Sequence, residues 1–428
     1  MSKKMVLQNG VTLLVDEIKT SSAVSLGVWI DLGSRDESSG ELGYAHMIEH
    51  MLFKGTEERS AYDIAAQIDT FGGEINGSTS KENTYYFVNV ASEHWLDALD
   101  VLLDMYFKSC FRSEEFERER LIVLDEINMA IDDPEDYVGE LYFQAMWGEH
   151  PLGLPVFGSS ESIASVTLED LVHFHRCHYS KRSLILSIAG DITAETFKRG
   201  VEDLFERRGY LNGGSREKTI RSKPHVLNNN LRETRDITQV HVFCGVEAFG
   251  YADEHRFALT LLNIILGSSF SSRLFQRIRE EKGLCYSVST MAINYSDCGE
   301  FSIGFSTSPE NLPRVLHEID SELLDVLENG VHEKELERAK DKYKGNYILA
   351  KESIEWKMIR MAMQEMLFGR LIPYDQTLKR IEEVTPERIA SVAQLLFKER
   401  GFSFASVGPP QHEAHIKDFQ FSFTPHSM

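Results

Sequence analysis

The sequence predicts an α+β chain built from two homologous domains, each an antiparallel-rich sheet covered by helices on one side. Three observations carry that prediction. The chain has 428 residues with 42% apolar content, too long for one core and suited to two domains of ordinary size, or more. Each half runs strands first, then helices, then one more helix–strand unit, and such segregation favours α+β over a doubly wound sheet. The halves also resemble each other. Thr167-Leu168-Glu169-Asp170-Leu171 opens a helical pattern leading to Ser183–Gly190, and Thr385-Pro386-Glu387-Arg388-Ile389 opens another leading to Phe402–Gly408, at an offset of 218. Glu115-Phe116-Glu117-Arg118 resembles Glu335-Leu336-Glu337-Arg338 at an offset of 220.

The elements follow in order. Val11–Val15, Ala23–Leu32 and Tyr85–Val90 carry strand patterning. Gly73–Ser80, rich in small residues, reads as an edge strand that another backbone can approach at Gly77 and Ser78. Asp97–Phe107 and Glu114–Ile131 have helical periodicity, and Pro134 marks the end of the second. Arg208–Lys223 is rich in Gly, Ser and charge and is the best linker candidate. A boundary near residue 215 gives domains 1–214 and 215–428.

Lys plus Arg is 45 and Asp plus Glu is 67, a formal net charge of −22. A field of that sign argues against nucleic acid and anionic membranes as partners. The five cysteines (Cys110, Cys177, Cys244, Cys285, Cys298) lack paired spacing, which argues for a reducing compartment. The N-terminus has no signal or transit pattern, and the longest apolar runs are too short to span a bilayer. A soluble cytoplasmic protein is expected.

His46-Met47-Ile48-Glu49-His50 is the most informative stretch. On a helix it sets two imidazoles one turn apart on one face, the arrangement that can give a zinc ion two nitrogen ligands. Glu49 then lies where a general base is wanted, and the His-x-x-Glu-His order is the inverzincin signature. A catalytic zinc usually takes a third protein ligand. The helix after Ser113 offers Glu114, Glu115, Glu117, Glu119, Asp125 and Glu126. Glu119 and Glu126 are seven apart and share a face, so Glu126 could ligate while Glu119 orients His50.

With Glu126 lying 76 residues after His50 inside Leu124-Asp125-Glu126-Ile127-Asn128-Met129, the chain resembles the pitrilysin/insulinase family, nearest its processing-peptidase branch. Met51-Leu52-Phe53-Lys54-Gly55-Thr56, Glu117-Arg118-Glu119-Arg120 and Gly72-Gly73-Glu74-Ile75-Asn76 match as well, and the resemblance spans the whole chain. It implies one Zn2+ per chain on His46, His50 and Glu126, water activation by Glu49, and an acidic role for Glu119. The second half lacks the metal motif; Leu259–Ile265 is plain apolar helix there. It carries Arg279 and Tyr286, and the resemblance implies that this pair reaches the metal site as a substrate clamp when the halves close like a clamshell. A guanidinium and a phenol suit an oxyanion. The resemblance further implies a substrate strand added along Asn76, Gly77 and Ser78, and a basic residue met by Asp136 and Glu140 just before the cut.

The expected activity is a zinc endopeptidase hydrolysing short or unfolded peptides, self-sufficient as a homodimer. The competing readings are a non-catalytic scaffold subunit of the same family, and a catalytic subunit whose partner supplies the clamp. His173-Phe174-His175-Arg176-Cys177-His178 packs four possible ligands into six residues. Its place at a helix C-terminus favours a solvent-facing structural role over a second metal site.

Overall fold

The computed structural model describes residues 2–179, 184–210, 219–417 and 419–423. The expected boundary at residue 215, most of the linker's Gly/Ser core and Ser180–Ser183 lie outside the described residues. The chain divides into two compact units. The first comprises Met1–Asn128, Pro155–Ser222 and Ile348–Ile372; the second comprises Met129–Leu154, Lys223–Tyr347 and Pro373–Met428. The division is therefore not one cut along the chain: one helical segment from each half belongs to the other unit.

The first unit holds a six-stranded sheet in the order β1-β2-β6-β3-β5-β4. These strands are β1 (Lys3–Val6), β2 (Thr12–Glu17), β3 (Ala23–Ile30), β4 (Glu74–Thr79), β5 (Thr84–Ala91) and β6 (Ile185–Gly190). The β2–β6 pair is parallel and the others antiparallel. The second unit holds five strands in the order β7-β11-β8-β10-β9. They are β7 (Asn230–Thr234), β8 (Val240–Ala248), β9 (Cys285–Asn294), β10 (Gly299–Thr307) and β11 (Ser403–Gly408). Here β7–β11 is the parallel pair. The second sheet thus repeats the order and direction of β2-β6-β3-β5-β4, the duplication expected from the 218-residue offset.

One face of the first sheet carries the main core, where Leu13, Leu26 and Val88 meet Met47, Ile48 and Leu102. The relevant helices are α1 (Tyr44–Leu52), α2 (Ala61–Thr70), α3 (Trp95–Lys108) and α4 (Ser113–Asp132). Helix α4 stops where Pro134 predicts; Asp133 caps the next helix, α5 (Pro134–Trp147), by accepting from Glu135 N–H at 2.8 Å. Coverage does not stop at one side, however. The other face of the first sheet carries helix Ile354–Phe368, which packs Met358, Met361 and Ala362 on Leu14, Trp29, Phe87 and Ile185. Trp29 Nε1 points at Met358 Sδ at 3.3 Å, and Ser187 Oγ donates to the Met358 carbonyl at 2.8 Å. In the second unit α5 takes the corresponding place. Its Val138, Tyr142 and Met146 pack with Ala405, Val407 and Phe243.

Both helices approach their strands closely, and one residue type permits it. A Cβ on Gly27 of β3 would lie 2.7 Å from Met358 Sδ, and one on Gly245 of β8 would lie 2.3 Å from the Tyr142 hydroxyl. The two glycines are themselves 218 residues apart. Burial of both faces explains why every residue of β6 and β11 is buried, with only the small Ser187, Ser403 and Ser406 interrupting the apolar residues. No helix among the described residues is long and apolar enough to cross a membrane.

Candidate metal centre

Helix α1 places His46 and His50 one turn apart with ring centroids 4.8 Å from each other. Its apolar residues Met47, Ile48, Met51 and Leu52 are buried, so the opposite stripe of His46, Glu49 and His50 is left toward the open side. Helix α4 buries Phe116, Glu119, Val123 and Ile127, and so holds Glu126 beside that stripe. Glu126 Oε2 lies 3.8 Å from His46 Nε2 and 3.6 Å from His50 Nε2. All three ligand atoms fall within 4.8 Å of one another, and they form the one such group among the described residues. Two donors of a single tetrahedral zinc ion lie roughly 3.3–3.6 Å apart. The three residues therefore fit the ion: two nitrogens and one carboxylate oxygen converge at nearly the required spacing.

The protonation states suit a metal. Burial, with the neighbouring His50 adding to it, pushes His46 down to about 4, so its lone pair stays available at neutral pH. His50 Nδ1 is 3.0 Å from Glu119 Oε2, and Glu119 Oε1 receives Lys54 Nζ at 2.8 Å. A carboxylate acceptor at Nδ1 fixes the tautomer that leaves Nε2 free for a ligand bond. Lys54 neutralises that buried carboxylate from the turn just beyond the end of α1. Its part was missed in the sequence, although its i, i+4 spacing from His50 was there to be read.

Glu49 is held against β4. Burial raises its carboxyl above the ordinary range, while Thr79 and His50 oppose the shift. A Cβ on Gly77 would lie 3.1 Å from Glu49 Cγ and 3.1 Å from Phe53 Cε2. The absence of a side chain at Gly77 thus serves Glu49 directly, a reason the sequence reading did not contain. β4 pairs with β5 alone and forms the sheet's edge, as expected from its composition. Asn76 is exposed, and its Oδ1 accepts from Gly77 N–H at 2.8 Å.

The remaining candidates lie in the second unit. Asp136 and Glu140 sit in the first half of α5, Asp136 exposed and Glu140 half-buried. Arg279 belongs to a π-helix, Phe275–Glu281, and Tyr286 to β9. The Arg279 guanidinium lies 4.7 Å from the Phe275 ring centroid and 5.2 Å from that of Tyr286. Tyr286 is 77% exposed, so its ring stands outside the core of the second unit.

The His173–His178 cluster gathers no set of three ligands among the described residues. His173 Nε2 and Cys177 Sγ do share a face at 3.4 Å. The expectation of a solvent-facing cluster fails for His175. Its ring packs against Phe111 and Tyr179, and burial lowers it to about 4. Helix Leu168–His178 turns this residue inward because Leu171 and Phe174 bury the same side.

Comparison with known proteins agrees with the geometry. The family model described as Insulinase (Peptidase family M16) matches residues 12–160, and the one described as Peptidase M16 inactive domain matches residues 165–343. The uncharacterized zinc protease YmxG of Bacillus subtilis is 36% identical over 412 residues, 96% of this chain and 98% of its own. An uncharacterized zinc protease of Mycobacterium leprae is 35% identical over 406 residues, 94% of this chain and 91% of its own. The crystal structure of a protease from Helicobacter pylori shares the fold, with a TM-score of 0.87 at 22% identity. It covers 96% of this chain and 100% of that one.

Proposed function

The chain belongs to the insulinase family of zinc metallopeptidases, and from that premise we propose that it is an endopeptidase cleaving short or unfolded peptides. The observation that carries the reading is the convergence of His46, His50 and Glu126 beside a half-buried Glu49. His46 Nε2, His50 Nε2 and a Glu126 oxygen would hold the zinc ion. When bound, that ion supplies Lewis-acid polarisation of the scissile carbonyl and acidifies water. Glu49 takes the proton from the attacking water and carries it to the leaving amine. Its raised affinity for protons suits both halves of that transfer. Glu119, held by Lys54, keeps His50 in the tautomer described above.

The substrate joins the free edge of β4 at Asn76, Gly77 and Ser78 as an added strand, held by main-chain hydrogen bonds that are largely blind to sequence. Arg279 and Tyr286 donate to the oxyanion. Support comes from their pairing on an exposed surface and from the family resemblance. Asp136 and Glu140 receive a basic side chain just N-terminal of the cut, Arg better than Lys because its fork engages both carboxylates. The protein works in the cytoplasm as a homodimer, without nucleic-acid or membrane partners, consistent with its strong negative charge.

The test is metal analysis with a peptide-cleavage assay on the native chain and Glu49→Gln. Cleavage lost with zinc retained supports the base role; unchanged cleavage overturns it. Peptides differing by Arg→Ala before the cut test the acidic contacts, and equal rates would remove them.

A further inference from the structure

Glu37 takes no part in the chemistry above, yet both its oxygens are spent on the backbone of the metal helix. Oε1 accepts from Ala45 N–H at 2.7 Å, and Oε2 accepts from Gly43 N–H at 2.9 Å. The side chain is buried, at 4% exposure. Helix α1 needs this help. Its N-cap is Gly43, which has φ +86° and no side chain to cap with. The first N–H groups of a helix lack partners within it, and buried ones must find them elsewhere. Tyr44 N–H finds the Glu41 carbonyl at 3.1 Å; Glu37 serves Gly43 and Ala45 on either side. His46 is the next residue.

The segment that carries Glu37 is itself fixed to the hairpin joining β4 and β5. Ser34 N–H donates to the Ser80 carbonyl at 3.1 Å, and Arg35 N–H donates to the Lys81 carbonyl at 2.7 Å. Arg35 pairs with Glu82 at 2.7 Å with both side chains nearly inaccessible. From the C-terminal end of the linker, Arg221 reaches Asp31 at 2.8 Å and Asp36 at 2.9 Å. Ser80 directly follows β4, and β4 is the strand against which Glu49 rests. One short segment therefore bonds at one end to the first turn of the metal helix and at the other to the base of the edge strand.

We propose that Glu37 is a positioning residue. It sets the height and rotation of the first turn of α1 against the β4–β5 hairpin, so that His46 meets the metal while Glu49 stays seated at Gly77. This rests on the peptidase reading above, and extends it to a residue outside the metal motif. A carboxyl group is suited to the task because it offers two acceptor oxygens in one plane to two backbone N–H groups.

Three variants test it: Glu37→Ala, Glu37→Gln and Glu37→Asp. The readouts are zinc affinity by chelator competition, amide exchange across residues 43–47 in the metal-free protein, and the kcat and KM of peptide cleavage. Glu37→Ala is expected to weaken zinc binding by about 10-fold or more, the range seen for partners behind a ligand, with exchange at residues 43–47 accelerated. Glu37→Gln keeps one acceptor and recovers part of the loss, whereas Glu37→Asp, one methylene short, does not. The loss falls on kcat rather than KM, since the substrate edge is untouched. Zinc affinity within twofold of native in both Glu37→Ala and Glu37→Gln overturns the proposal. If Glu37→Ala does not fold, Glu37→Gln alone decides. Absence of zinc from the native chain would instead sink the peptidase site, so the two readings fail separately.

Discussion

Glu300 makes a prediction that tests how the second unit is held together. It lies on β10 with no exposed surface, and its Oε2 accepts the Tyr142 hydroxyl at 3.1 Å. Tyr142 belongs to α5, so this bond anchors that helix on the sheet. Burial pushes the Glu300 carboxyl up from an ordinary 4.5 to about 8, with the Tyr142 hydroxyl opposing the shift. Below pH 4.5 the group is neutral in both folded and unfolded chains. Between 4.5 and 8 the unfolded chain loses the proton and the folded one keeps it, so stability falls as pH rises and levels off above 8. At about 1.4 kcal/mol per unit, the loss is on the order of 2–5 kcal/mol once relaxation around the charge is allowed. Glu300→Gln removes the titration and keeps an acceptor for Tyr142. Its stability relative to native should therefore rise steadily between pH 5 and pH 8 and reach its largest gain near pH 9. Urea unfolding read from β8 and β10 peptides by hydrogen exchange, corrected for the pH dependence of intrinsic exchange, isolates this unit. All other titrating groups cancel in the difference between the two proteins. Parallel pH curves for native and variant would refute the reasoning.

Three further outcomes follow from the geometry. Gly245→Ala, whose Cβ would sit 2.3 Å from the Tyr142 hydroxyl and 2.3 Å from the Phe301 carbonyl, should destabilise the second unit by about 1–3 kcal/mol or more; a thermal melt unchanged from native would contradict the close approach. Gly77→Ala puts a methyl group 3.1 Å from both Glu49 and Phe53, so kcat should fall while zinc content stays native, and metal loss would point to a different defect. Glu126→Gln should weaken zinc binding by at least ~100-fold, since partners behind a ligand already cost roughly 10–100-fold; native-like metal content after dialysis against a weak chelator would remove Glu126 from the ligand set.

Local patterns carried most of what the sequence could say. The His46–His50 spacing is a property of one helix turn, and the seven-residue separation of Glu119 and Glu126 is a property of one helix face. Both were legible before any tertiary contact was known. Lys54 and Glu37 were not singled out, because each acts through a contact that no helix or strand period displays: Lys54 on Glu119 from the turn after α1, Glu37 on the start of α1 from the preceding loop. Gly77 was noticed for being small, but its closeness to Glu49 and Phe53 was not legible, since composition shows that a position is small without showing which side chains lie against it.

The duplication marks the limit most clearly. Strands β2 and β6 recur as β7 and β11 at an offset of 218, and α5 recurs as helix Ile354–Phe368 at an offset of 220. These correspondences identify equivalent elements, but not the sheet each element serves. The strands stay with their own half, whereas the two helices each join the other unit. A clue was present in β6 and β11, whose apolar residues, broken only by small serines, fall on both faces and need cover on both. Something had to cover the second face. Gly27 and Gly245, at the same repeat position, mark where a helix would come down. What the pattern could not distinguish was a helix folding back on its own half from one crossing to its counterpart, because both bury the same apolar residues. That choice depends on the path of α4 and of its counterpart 220 residues on, helix Glu333–Ala350, which carry the chain from one unit to the other before α5 and helix Ile354–Phe368 begin.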